Sequence, residues 1–202
     1  MSTELILSRH GRTVWHAENR YAGSSDVDLD DVGRRQAEQL ATWAAAHRPD
    51  AFYCSPVRRA RETAAPVAAA LGAEPVVVDD LREVHFGVAE GLTIGEIREQ
   101  LPDVARAFES DPVAGAFPEA EPTAGAAARA VAALQGIVAA HPDGRVLVVA
   151  HNTLFRLALC SLLGIPLADY RIVLPRLDNG TLTRLRFTGG RAALLSFNVP
   201  LP

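Results

Sequence analysis

Val146-Leu147-Val148-Val149-Ala150-His151 is an uninterrupted apolar run of strand length that ends on a histidine. An apolar stretch of helical length follows it to Leu163, and Gly164 stands where that helix must stop. Such a pair predicts a strand buried on both faces, backed by a deeply buried helix, which is the unit of a parallel sheet. Toward the N-terminus, Glu4–Ser8 is a shorter run of the same kind, and it too leads into a histidine, Arg9-His10-Gly11. Ala51–Cys54 and Val76–Val78 read as further strands. Between them, Asp30 or Asp31 caps a helix to about His47, with Ala37, Leu40, Ala41 and Ala44 at helical spacing. A second helix carries Val57, Ala60, Ala64, Val67 and Leu71 on one face, with Gly72 as its stop and Pro66 as a predicted kink.

Residues 87–122 mix glycine, proline and short helical stretches such as Ile94–Leu101. They read as an insertion over a site. Thr123–His141 is an alanine-rich helix expected to turn Val131, Leu134 and Val138 inward. Thr181–Phe187 and Ala192–Phe197 flank Thr188-Gly189-Gly190-Arg191 and predict a hairpin. Strands alternating with helices imply an α/β fold of three layers, an α/β/α sandwich around a mainly parallel, mixed sheet, in one domain over residues 1–202.

Composition narrows the function. Of 202 residues 49% are apolar and 22% charged, with a formal net charge of −4. That balance supports a full core and gives no electrostatic footprint for nucleic acid or an acidic membrane. No apolar run reads as a membrane span or a signal peptide, and Cys54 and Cys160 lack ligand spacing, so a cytoplasmic location with buried thiols is expected. All 20 basic side chains are arginine. Lysine chemistry is therefore excluded, and any phosphate must be held by guanidinium groups, helix ends and histidines.

In open parallel sheets ligands bind outside the carboxyl ends of the strands. Arg9 and His10 follow the first strand, His151 follows the strand at 146–150, and Ser55 leads into Arg58, Arg59 and Arg61. The reading predicts a pocket of two histidines and at least two arginines. Gly11 would leave room for an anion, and the helix start after His151 would aim its amides into the same crevice. Guanidinium forks match phosphate oxygens, and an imidazole can be nucleophile, acid or donor.

Five segments then carry a resemblance. Arg9-His10-Gly11-Arg12-Thr13, Leu29-Asp30-Asp31-Val32-Gly33-Arg34-Arg35-Gln36-Ala37, the stretch from Cys54 to Ala64, Leu81–Gly87 with Glu90-Gly91-Leu92-Thr93, and Val146–His151 together resemble the histidine phosphatase superfamily, the phosphoglycerate mutase-like proteins. The resemblance implies that fold, His10 as nucleophile and Glu83 as proton donor. It also implies Arg9, Arg59 and His151 on the phosphoryl oxygens, with no metal and no cofactor. It implies hydrolysis of a small phosphorylated metabolite, with a protonated His151 as donor. Oligomeric state stays open, a homodimer included.

Three departures bear on the substrate. His16 stands where relatives usually carry asparagine, Pro118-Glu119-Ala120-Glu121-Pro122 replaces a PGGES-like segment, and Asn152-Thr153 follows His151 in place of a glycine pair. His16, Tyr21, His85, Asn152 and the 87–122 insertion are the expected substrate contacts.

A cofactor-dependent phosphoglycerate mutase is the alternative within the family. The short Glu83-to-His151 separation and the Glu90–Thr93 stretch favour a phosphatase. A non-catalytic phospho-ligand-binding module is the alternative from another class. A metallohydrolase lacks HxH or HExxH spacing, and C-x₅-R counted from Cys54 lands on Ala60, which removes a cysteine phosphatase.

Overall fold

The computed structural model describes residues 2–202. β1 (Ser2–Arg9), β2 (Ala51–Cys54), β3 (Val76–Val77), β4 (Arg145–Ala150), β5 (Leu182–Thr188) and β6 (Arg191–Val199) form one sheet in the order β3-β2-β4-β1-β5-β6. β1, β2, β3 and β4 are parallel; β5 pairs antiparallel with β1, and β6 with β5. The terminal hairpin is thus an integral edge of the sheet.

Alternation along the central strands sets the layers. Ile6, Leu147 and Val149 point to one face, against α1 (Asp31–His47) and α2 (Arg58–Leu71). Leu5, Leu7, Val146 and Val148 point to the other, against α5 (Thr123–Ala140) and α6 (Asn152–Leu163). Helix ends follow local chemistry: Asp30 accepts the Gly33 amide at the start of α1, and Gly72 and Gly164 end α2 and α6 in the left-handed region. α2 runs through Pro66 without ending there. α5 buries Ala126, Ala127, Ala130, Leu134 and Ile137, so the inward stripe lies beside the predicted Val131 and Val138, which are only partly buried. By length and composition α5 could cross a membrane, a property the sequence reading did not find in it; here its buried stripe belongs to the core.

Within residues 87–122, α3 (Ile94–Gln100) is followed by an unpredicted α4 (Pro102–Ser110), begun by proline at its first position. Phe108 and Phe117 stack at 4.1 Å, and Tyr21 meets Phe117 and Phe86 at 5.1 Å each. A last short helix, α7 (Tyr170–Val173), also went unread in the sequence.

Candidate active site

Strand register assembles the site. Arg9 sits opposite Ala150, so the next residues along parallel β1 and β4, His10 and His151, emerge side by side. Their ring centroids are 5.2 Å apart. Cys54 sits opposite Val149, which brings Ser55 alongside. Arg9, His10, His16, Tyr21, Arg59, Glu83 and Asn152 line one cleft, and Asn19, Arg20, Ala22, Phe86, Thr153, Arg156, Tyr170 and Arg171 complete it.

His10 is buried, and its Nδ1 lies 2.7 Å from the Gly11 carbonyl oxygen, which can only accept. The proton therefore sits on Nδ1, and the Nε2 lone pair is left as the nucleophilic position. Arg59 Nε donates to that Nε2 at 3.1 Å. Burial, then Arg59, His151 and Arg9, hold His10 well below the ordinary histidine pKa, so the ring is neutral.

Arg59 is itself buried, and its other nitrogens donate to the carbonyls of Ser25, Ala22 and Gly23. Four of its five N–H groups are thereby engaged, and one on Nη1 remains for an oxyanion. The loop that grips it is in turn clamped by Glu90, whose carboxylate accepts from the Gly23 amide, the Ser25 hydroxyl and the Phe86 amide. Arg58 instead pairs with Asp28 and Glu62 at the surface, and Arg61 is exposed.

His16 is fixed by its own turn. Its Nδ1 lies 2.7 Å from the Thr13 hydroxyl oxygen and 3.1 Å from the Thr13 amide. Its Nε2 faces two groups that can only donate, Arg9 Nη2 at 2.5 Å and Asn179 Nδ2 at 3.3 Å, and Asn179 is oriented by donating to the His10 carbonyl. The ring nitrogen therefore accepts, and His16 orients the Arg9 guanidinium in the cleft. Burial, with Arg9 and Arg59, lowers the His16 pKa to about 4. Arg9 donates to the Leu177 carbonyl and keeps Nε without a protein partner; burial lowers its pKa to about 10, leaving it charged.

Glu83 Oε1 accepts from the Val84 and Leu154 amides and Oε2 from the Thr153 amide. Its loop is strapped by Arg129, which donates to the carbonyls of Asp80, Arg82 and Glu83 and pairs with Glu121 at 2.6 Å.

Four expectations need correction. The first-turn amides of α6 at Thr153 and Leu154 are spent on Glu83, so that helix start does not present them to a phosphate. The missing side chain of Gly11 serves close packing, since a Cβ there would lie 2.5 Å from the Gly33 carbonyl oxygen.

His151 is not an imidazolium. Burial, then Arg59 and Arg9, hold it well below the ordinary value. Ser55 Oγ accepts the Val57 amide and lies 2.7 Å from His151 Nε2. This leaves the hydroxyl proton for Nε2 and a neutral Nδ1–H, buried without a protein partner, as the donor.

His85 is half exposed, faces Ser24 and Glu90, and does not line the cleft; nor does any residue of 87–122, which backs Tyr21 from behind. The wall is built by Tyr170, Arg171 and Arg156 instead. Arg156 had a signal: it is the one charged residue in the otherwise apolar helix after Asn152-Thr153.

The neutral histidines give a pH prediction. Unfolded, each takes a proton near pH 6.5; folded, His10, His151 and His16 refuse it until lower pH. Their contribution to stability is complete above 6.5 and is lost as pH falls, at up to about 1.4 kcal/mol per pH unit per histidine. Urea unfolding of the unliganded protein between pH 7 and 5 should show a falling midpoint, and a flat or rising midpoint contradicts the assignment.

Three comparisons agree with this geometry. Phosphoserine phosphatase 1 of Hydrogenobacter thermophilus is 29% identical over 97% of this chain and 92% of its own. Phosphoglycerate mutase-like protein 4 of Arabidopsis thaliana is 36% identical over 76% of this chain and 68% of its own. A mycobacterial glucosyl-3-phosphoglycerate phosphatase superposes with a TM-score of 0.89 at 28% identity, covering 98% of this chain and 100% of that one. The model of the histidine phosphatase superfamily (branch 1) matches residues 5–200, and the chain belongs to that family.

Proposed function

We propose that the chain is a phosphomonoesterase that hydrolyses small phosphorylated metabolites through a phosphohistidine on His10. The observation that carries this reading is one cleft in which a neutral His10 Nε2 faces donors from Arg9 and Arg59, with Glu83 on the same wall and the His151 ring 5.2 Å from that of His10. Nε2 attacks phosphorus, the bond from phosphorus to the ester oxygen breaks, and Glu83 gives that oxygen its proton. Water then attacks the phosphohistidine, Glu83 takes a proton from it, and inorganic phosphate leaves as the P–N bond breaks. The guanidinium and imidazole donors stabilise the charge on the non-bridging oxygens. Among the described residues no cluster of three His, Cys, Asp or Glu side chains has the arrangement of a metal site.

The printed activities of relatives, on phosphoserine and on glucosyl-3-phosphoglycerate, support a small acidic phosphate ester. A mutase reading draws on the Arabidopsis relative's name. A mutase must retain a bisphosphate between transfers, and none of residues 87–122 reaches the cleft to help hold one.

Both are tested together. Phosphate release from a panel of esters is measured after exhaustive chelation, beside 2- to 3-phosphoglycerate interconversion with a bisphosphate primer. Release that survives chelation and outruns interconversion is expected; no release from any ester, or faster interconversion, counts against the proposal.

A further inference from the structure

Beyond the residues around His10, the cleft holds cationic groups that the chemistry above does not use. Arg156 rises from the second turn of α6, is 6% exposed, and stands 4.8 Å over the Tyr170 ring. One of its Nη atoms donates to the Tyr170 carbonyl at 3.3 Å, and its buried Nε has no partner. Arg171, next along the chain from Tyr170, lies 5.1 Å over the Phe108 ring, and its charge interacts with the phenol groups of Tyr21 and Tyr170. Neither joins any ion pair among the described residues. Arg20, also in the lining, is already matched by Glu18 and Glu96.

Charge decides what this means. Arg9, Arg59, Arg156 and Arg171 face the cleft, and Glu83 is the one acidic side chain lining it, so at least three positive charges are left unmatched. A phosphate dianion answers two of them. A buried guanidinium left without a counter-charge is costly, and Arg156 has neither a carboxylate partner nor a full set of acceptors.

We propose that Arg156 and Arg171, backed by Tyr170, form a second anion subsite that holds an acidic group on the leaving portion of the substrate. The substrate class is then a phosphate monoester that also carries a carboxylate or a second acidic group. The inference rests on the phosphatase reading for its turnover assay but not for its binding assay. Guanidinium forks suit such a group, and the aromatic faces beneath both arginines keep the forks planar and oriented.

The test uses ω-phosphooxy carboxylic acids with one, two or three methylenes between ester oxygen and carboxyl, each beside its neutral carboxamide. In the wild type kcat/KM should favour the acid by about tenfold or more at one spacing at least, the size of one charged hydrogen-bonded pair. Arg156→Met and Arg171→Met should each bring that preference below about threefold. Arg171 is exposed, so its substitution serves even where Arg156→Met fails to fold. Calorimetric affinities of the same pairs for His10→Ala read the preference without turnover. Equal treatment of acid and amide at every spacing, or a preference that survives Arg171→Met, overturns the subsite. Absence of turnover alongside a clear affinity preference would overturn the phosphatase reading and leave the subsite standing.

Discussion

His10→Ala should lower hydrolysis of every phosphate ester by on the order of 10⁴- to 10⁶-fold, the scale seen when a nucleophile is removed from a working constellation. The size follows from the position of the ring. Its Nδ1 proton is committed to the Gly11 carbonyl, so the reaction has one nitrogen to use, Nε2, and no neighbouring side chain can replace it. Ser55 is tied to His151 and the Val57 amide, and both cysteines are buried, with Cys54 raised to about 11 by burial. The oxyanion donors survive the substitution, so phosphate affinity should change by less than about tenfold, a split between kcat and binding that marks a chemical role. Steady-state rates and phosphate calorimetry on the folded variant measure both. Residual activity within a hundredfold of wild type would remove His10 from the chemistry.

The second large effect belongs to Arg59→Met, expected to cost both activity and fold. Three carbonyls, of Ala22, Gly23 and Ser25, lose their donors, and each buried acceptor left alone costs about 1–3 kcal/mol. Partial hydration of that loop reduces the sum, so a loss of about 3 kcal/mol is expected in urea unfolding. Activity should fall by about 10³ or more, because a preorganised oxyanion donor goes as well.

Arg59→Lys keeps the charge and should recover little, since one ammonium cannot serve His10 and three carbonyls in fork geometry. There is also a signature in pH. Arg59 is among the groups that depress the His10 pKa, so removing it raises that pKa and moves the acid limb of kcat/KM to higher pH. Near-normal activity in Arg59→Lys, or an acid limb that moves down in Arg59→Met, contradicts this account.

The legibility of the chain divides along physical lines. Apolar runs such as Leu5–Leu7 and Val146–Ala150 announce buried strands because nothing else keeps three to five such residues in a row out of water. The histidines that end them were therefore readable as neighbours before any register was known. Arg59 could be singled out from Arg58 and Arg61 only through the resemblance; its burial depends on the loop at 22–25 and on Glu90, which are distant in sequence.

His151's charge state was misread because an imidazole's pKa depends on burial and on every cation around it, and the number of those cations is a property of the folded cleft. Thr153 and Leu154 looked available to an anion for the same reason: the carboxylate that takes their amides comes from Glu83, some 70 positions away in the chain. His85 looked like a wall residue through its place beside Glu83, yet the backbone turns it toward Ser24. Short helices such as Tyr170–Val173 carry too few residues for a periodic signal, and that is where much of the leaving-group wall resides.

The most direct measurement is acid-labile, base-stable phosphate on the protein during turnover, mapped by mass spectrometry after rapid quench with a labelled ester. Label on His10 Nε2, formed at least as fast as phosphate is released and absent from His10→Ala, is the predicted result. Turnover with no labelled protein at any time, or label carried by His151 or His16 instead, would contradict it.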